Sequence, residues 1–419
     1  MRDPSPSSIE NVVEHFRLQY EEDRANGRSR SLRQYVGMWP AFNKWIAQAY
    51  SGLESANKGK SGAAANQSSE TLNSTSSTTL AAATNGRLNR VGDFKIVREI
   101  ERGSHAVVYL ATQVRTGAEV ALKVLKKHNR WTKSDSALFQ VRAAAVNEMN
   151  DPGLCHVHES GIDGSISYVS MDIVEGPDLA QRIKWAKGRV LGGLTCDFIE
   201  LLTLRDERKL GTKKNKNTRC KKQPRQKQLE AILKFFEAAA RSLQVGHESG
   251  FLHGNLKPSN IMIGSDFRPV LVDYGLCPSG PAEVSGDSKL DQNFGTLPYM
   301  APEQAEFGRS RMNECSEVYS LAVCLFEVIT LTLPHAAPTV EGLSRAIGSK
   351  AAPDPCKIDA TIPRELGDVL RLALTKDPAK RYRTAEEFAN DLSALRYRRP
   401  TRAAAPGFFR SLRRHLRPR

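Results

Sequence analysis

Polar and apolar residues alternate along Phe94-Lys95-Ile96-Val97-Arg98-Glu99-Ile100, the period-two pattern of a β-strand. Val107-Val108-Tyr109-Leu110-Ala111 predicts a second strand. Gly117 then turns the chain into a third, Val120-Ala121-Leu122-Lys123-Val124-Leu125. The stretch from Phe139 to Met149 is Ala-rich and predicts a helix. Cys155-His156-Val157-His158 returns to period two, which favours structural residues of a strand over a metal site. Upstream, Ser7-Ser8-Ile9-Glu10 and Ser31-Leu32-Arg33-Gln34 fit capping boxes, and Pro40 can open a third helix through Phe42, Trp45, Ile46 and Tyr50. Residues 1–54 therefore predict a small helical module whose aromatics form its core.

Composition changes sharply after that module. Residues 55–90 are Ser, Thr, Ala, Asn and Gly with almost no large apolar side chain, the composition of a flexible linker. The 419-residue chain is 40% hydrophobic, enough for a sizeable core, and its formal net charge is +15. That charge is concentrated. Arg208 to Lys227 holds ten Lys/Arg and no acid, and Arg396 to Arg419 holds nine Arg and no acid. Without them the remainder is slightly acidic, so the basicity belongs to two appendages: an insertion at about 188–228 and a tail at 396–419. Both are candidate contacts for nucleic acid or an anionic membrane surface, weighed against a solvated loop and a disordered tail. The seven cysteines are scattered, with no C-x-x-C and no leader peptide, which predicts free thiols in a reducing cytoplasm. The longest apolar run, Tyr319 to Leu333, is interrupted by Glu327 and too short to span a bilayer, so no transmembrane segment is expected.

Candidate chemistry centres on Phe251-Leu252-His253-Gly254-Asn255-Leu256-Lys257-Pro258-Ser259-Asn260-Ile261-Met262-Ile263. This stretch resembles the catalytic loop of protein kinases, H-R-D-L-K-P-x-N followed by a short apolar strand. Other segments resemble the same family in the same order. Glu101-Arg102-Gly103-Ser104-His105-Ala106 keeps the middle glycine of a G-x-G-x-x-G loop, and Val120-Ala121-Leu122-Lys123 follows it. Tyr168 to Gly176 looks like the hinge, Asp273-Tyr274-Gly275 like D-F-G, and Gly295 to Glu303 like the end of the activation segment. Ser316 to Ala322 matches the start of a buried helix, and Lys376 to Tyr382 matches the closing K-D-P-x-x-R, where Arg381 would pair with Glu303.

The resemblance implies an α+β, bilobal protein-kinase fold over 91–395, with a β-rich N-lobe (91–173) and a helical C-lobe (176–395). It further implies ATP and Mg2+ as cofactors, and a protein partner or protein substrate. Gly103, Val108, Ala121, Lys123, Met171, Asp172, Val174 and Met262 would then hold the nucleotide, with Met171 as gatekeeper. Asn260 and Asp273 would hold the metal, and Lys257 would neutralise the moving phosphoryl group.

Several positions depart from the family pattern. Asn255 stands where the catalytic Asp should be, and an amide cannot accept the substrate's proton, a loss of roughly 10²–10⁴ in rate. Arg142 falls where a Glu should pair with Lys123, and Glu101 replaces the first loop glycine. Glu317 for Asp and Ala322 for Gly bear on how the catalytic loop is anchored. Gly254 for Arg removes the usual partner of an activation-loop phosphate. These changes point to a pseudokinase of Ser/Thr-kinase type acting as a regulator or scaffold. The alternatives are a slow, active Ser/Thr kinase and a basic module that binds nucleic acid or membrane.

Overall fold

A computed structural model describes residues 6–25, 32, 35, 46–47, 49–50, 53, 88–103, 106–125, 139, 142–164, 166–187, 225–274 and 296–404. The chain divides into two compact units, Met1–Ala145 with Glu159–Ser170, and Val146–His158 with Met171–Arg419. Most of the expected linker and insertion, the segment after Tyr274, and the tail beyond Ala404 lie outside the described residues.

The first unit begins with α1 (Pro6–Ala25), which buries Val12, Phe16 and Tyr20. Pro6 is already helical, so Ser7 sits inside the helix rather than ahead of it as a cap. Phe16 meets Tyr35 edge-on at 5.3 Å, and Tyr20 meets Tyr50 in the same way at 5.7 Å. The Tyr35 hydroxyl donates to Asp23 at 3.0 Å. Phe16, Tyr20 and Tyr35 are thus buried together, and the half-buried Tyr50 packs against them. Phe42, Trp45 and the Ser31 box lie outside the described residues.

The rest of this unit is a sheet and, at 139 and 142–145, part of the helix expected over 139–149. Its strands are β1 (Arg90–Val91), β2 (Phe94–Arg102), β3 (Ala106–Gln113), β4 (Glu119–Leu125), β5 (Val157–Asp163) and β6 (Ile166–Met171), in the order β1-β2-β3-β4-β6-β5. Val91, Phe94, Ala111, Val120, Leu122, Val124 and Tyr168 form its apolar core. Gly92 and Gly161 flank Tyr168, and a Cβ at either would lie within 2.5 Å of the tyrosine hydroxyl. The β2–β3 pairing continues through Glu101↔Val108 and Arg102↔Val107, helped by two register shifts. The glycine-containing loop expected over 101–106 is therefore shorter. Glu101 and Arg102 belong to the strand, and Gly103 closes the turn by donating to Ala106 O at 3.0 Å.

The second unit is largely helical. It comprises α2 (Leu179–Lys187), α3 (Arg225–Glu248), the hairpin β7 (Ile261–Ile263) with β8 (Pro269–Leu271), and then α4 (Pro302–Phe307) and α5 (Glu314–Thr330). α6 (Val340–Ser349), α7 (Pro355–Ile358), α8 (Arg364–Ala373) and α9 (Ala385–Arg396) complete it. α5 is buried without a break from Ser316 to Ile329, as an all-round apolar helix must be. Asn313 caps it by accepting from Ser316 N at 3.1 Å. α5 packs against α3, α8 and α9. α3 already includes Arg225 and so takes the last residues of the insertion expected over 188–228.

Candidate active site

The site of the second unit is built outward from the C-terminus of α3. Gly250 has φ of 82° and ends the helix, with its N–H donating to His247 O and the Phe251 N–H to Gly246 O. These bonds form a Schellman motif, which requires a left-handed residue at that point. The motif delivers His253 and Gly254 to α5. There the buried Glu317 carboxylate accepts from His253 N at 3.0 Å, Gly254 N at 2.6 Å and the His247 imidazole at 2.8 Å. Gly254 has φ of 82°, a conformation L side chains avoid, so the glycine suits its place. Burial alone would raise the Glu317 pKa, but the hydrogen bond and charge of His247 bring it below the ordinary carboxylate value. Glu in place of Asp leaves the loop anchored through both carboxylate oxygens.

Beyond that anchor the loop bonds to itself. Asn255 N donates to His253 Nδ1 at 3.4 Å, and Asn260 Nδ2 donates to Asn255 O at 2.7 Å. Val272 N donates to Asn260 O at 3.1 Å, which brings the segment carrying Asp273 alongside the loop. Asp273 has φ of 64°, a left-handed backbone that Asp tolerates better than most residues. Its neighbour Tyr274 is buried and lies 5.1 Å from the His253 ring. Lys257 Nζ donates to Thr296 Oγ1 at 3.3 Å, joining the loop to the segment before α4. Asn255, Lys257, Asn260 and Asp273 thus share one bonded network or its immediate neighbours.

Farther out, two carboxylates hold the framework, Glu303 partly buried and Glu327 buried. Glu303 on α4 takes two bonds from Arg381, at 2.8 and 2.7 Å, and one from Ser316 at 2.6 Å. This is the expected pair. Burial opposes its ionisation, but Arg381 keeps Glu303 below the usual carboxylate range. Glu327 on α5 accepts from Tyr299 at 2.6 Å and pairs with Lys187 at 2.6 Å. Motif reading missed this second cluster and also the part played by His247. The one visible signal for the second cluster was the acid interrupting an apolar helix.

The remaining expected residues are found within their own units. In the first unit, Val108 and Lys123 are cross-strand partners, and Ala121 lies two positions from Lys123, so all three share a sheet face. Glu101 pairs with Val108 in the next strand and extends that row. Gly103 is exposed at the β2–β3 turn. In the second unit, Met171 ends β6 and Asp172–Glu175 runs on without regular structure. Asp172 N is taken by His156 O at 2.9 Å, Val174 is half-buried, and Met262 bridges Asp178. Cys155 donates weakly to Asp172 O, and burial pushes its thiol up to about 12, well away from the thiolate a metal needs. His158 pairs with Asp172 at 3.0 Å. Among the described residues no cluster of three or more His, Cys, Asp or Glu could hold a metal ion, and no helix is long and apolar enough to cross a membrane.

A family model described as protein kinase domain matches residues 94–392. A probable serine/threonine-protein kinase of Clostridium acetobutylicum is 25% identical over 309 residues, 72% of this chain and 40% of that protein. Serine/threonine-protein kinase PknA of Mycobacterium tuberculosis is 26% identical over 317 residues, 74% of this chain and 63% of that protein. The chain therefore spans less than two thirds of these relatives. The kinase domain of Mycobacterium tuberculosis PknI superposes with a TM-score of 0.51 at 20% identity, over 74% of this chain and 99% of that domain. A double mutant of the same domain gives 0.53, so the likeness is one of fold.

Proposed function

The chain belongs to the protein kinase family, and from that membership we propose a Ser/Thr-kinase-like nucleotide-binding domain with impaired phosphoryl transfer, acting through protein partners as a regulator or scaffold. One observation carries the reading. Asn255 occupies the base position of a loop whose anchoring is otherwise complete, through Glu317, Asn260 and Val272. The loop is ordered by its own hydrogen bonds, so the impairment proposed at this position is chemical and not a failure of the loop to fold. An amide there can orient a hydroxyl but cannot remove its proton.

The residues present fit a magnesium nucleotide. Asn260 and Asp273 offer the hard oxygen donors that Mg2+ takes, and the Val272–Asn260 hydrogen bond ties their segments together. When bound, Mg·ATP supplies the phosphoryl group and the neutralising metal charge. In this reading Lys123 holds the α/β-phosphates and Lys257 faces the γ-phosphate. For adenine the family resemblance implies Val108 and Ala121 of the first unit, and Met262, Met171 and the backbone of Asp172 and Val174 of the second, while Gly103 belongs to the glycine-loop motif.

A second reading, a slow but active protein Ser/Thr kinase, is favoured by the Lys257–Thr296 contact and the intact Glu317 anchor. One assay separates the two. The full chain is incubated with γ-labelled ATP and Mg2+, beside Lys123→Ala and Asn255→Asp variants, and nucleotide binding is followed by thermal shift. We expect a Mg2+-dependent shift that Lys123→Ala abolishes, together with background transfer by the wild-type chain. Transfer that disappears in Lys123→Ala would overturn impairment in favour of the active kinase.

A further inference from the structure

Charged residues crowd the end of β2, and its register shifts sort them onto opposite faces. Arg98 pairs with Leu110, Glu99 with Tyr109, Glu101 with Val108 and Arg102 with Val107. Val108 and Leu110 stand two positions apart on β3, so Arg98 and Glu101 share one face, and Glu99 and Arg102 share the other. On that other face Arg102 Nε donates to Glu99 at 2.8 Å, and its Nη2 bonds the second carboxylate oxygen. The face of Glu101 is the face of Lys123, because Val108 pairs with Glu101 on one side and with Lys123 on the other. Two strand spacings set the Glu101 and Lys123 Cα atoms about 10 Å apart, within the combined reach of the two side chains. Lys123 is buried, Val108 is half-buried and Glu101 is exposed, so the row runs from a covered cation to an open carboxylate. The helix position where the family resemblance implies an acid for Lys123 holds Arg142.

We propose that Glu101 is a specificity-determining residue, a carboxylate in the row of Lys123 that competes with ligand phosphates for the ammonium and makes the site discriminate by ligand charge. A phosphate placed at Lys123 must displace the carboxylate, and every further phosphate charge is repelled by it. Both effects act in one direction, and an uncharged nucleoside meets neither. The proposal rests on the reading of Lys123 as the phosphate-binding lysine, and its test keeps the two separable.

Binding of adenosine, ADP and ATP to the full chain and to its Glu101→Gln and Glu99→Gln variants is measured by calorimetry, in EDTA and in Mg2+. In EDTA, Glu101→Gln should tighten ATP about fivefold and leave adenosine unchanged. Glu99→Gln removes the same charge from the opposite face and should bind all three ligands as the wild-type chain does. Equal tightening of adenosine and ATP, or no change for ATP, would overturn the proposal. A gain from Glu99→Gln as large as that from Glu101→Gln would reduce the effect to net charge and sink it as well. Weaker ATP binding by Glu101→Gln in Mg2+ alone would make Glu101 a metal ligand instead. The gain should vanish in a Lys123→Ala background, and its persistence there would assign the competition to another cation and reject the pairing. The wild-type chain supplies a measurement free of any variant's folding. In EDTA it should bind ADP at least as tightly as ATP, and a clear preference for ATP would count against the carboxylate. Nucleotide binding absent from wild type and Glu101→Gln alike would instead overturn the proposed function on which the inference rests.

Discussion

Glu317 joins α5 to both the end of α3 and the entry of the candidate catalytic loop. It is buried, yet ionised, because two loop N–H groups and one imidazole surround it. Replacing it with Ala leaves those donors facing an apolar void. The expected loss is about 3–5 kcal/mol, the range for breaking a buried charged cluster. Glu317→Asp retains the charge but shortens its reach, and about 1–2 kcal/mol is expected. Urea unfolding of both variants checks the order, which would reverse if the extra methylene were a source of strain. His335 makes a different prediction. Burial, then Lys376 and Lys350, lower its pKa from 6.5 to about 4. Between those values the unfolded chain binds a proton that the folded chain does not, so stability rises with pH across that window. Lys376 is lowered to about 8 by burial and then Arg381, and adds a rise of the same sign between about 8 and its ordinary value. His335→Gln can still accept from Lys376, and it should flatten the melting temperature between about pH 4.5 and 6.5. A slope as steep as wild type would assign that dependence to other groups.

At the scale of elements, motif and periodicity made most of the second unit legible. The chemistry of the catalytic loop, the Glu303–Arg381 pair and the buried helix α5 each need a particular residue type at a particular spacing, and those types are present. Strand boundaries were less legible. Period two is blind to bulges, and two register shifts carry β2 on to Arg102, so Glu101 and Arg102 join the ladder. The His247–Glu317 contact was also hidden, because its partners lie 70 residues apart and belong to no shared motif. The Glu303–Arg381 pair shows what an inter-element bond is worth. Arg381 also donates to the carbonyls of Thr375 and Lys376 and lies over the Tyr319 ring at 5.0 Å. Arg381→Met removes the cation and leaves the partly buried Glu303 carboxylate without it. A loss of about 3–5 kcal/mol is expected, seen as a lower denaturation midpoint at unchanged m. A change under about 1 kcal/mol would show that Ser316 alone satisfies the carboxylate.

For the whole molecule, the question is where the folded body stops and the basic tail begins. Charge reading sets that boundary at Arg396, where acids cease, and the family match ends at residue 392. Hydrogen bonding carries order further. Asp391 on α9 accepts from the Tyr382 hydroxyl at 2.6 Å, Arg402 N at 2.7 Å and Ala403 N at 3.0 Å, and Thr401 and Ala403 are buried. Charge density therefore does not mark the end of the fold here, since the first arginines of the tail lead into a segment held by a buried carboxylate. Two truncations of the full chain test this. Ending at Ala404 removes five of the nine tail arginines and should leave the melting temperature unchanged. Ending at Arg399 takes two donors from Asp391, a loss of about 2 kcal/mol, or roughly 4–8 °C for a unit of this size. Equal melting temperatures for the two truncations would show that residues 401–404 add nothing to the fold, and would return the boundary to Arg396.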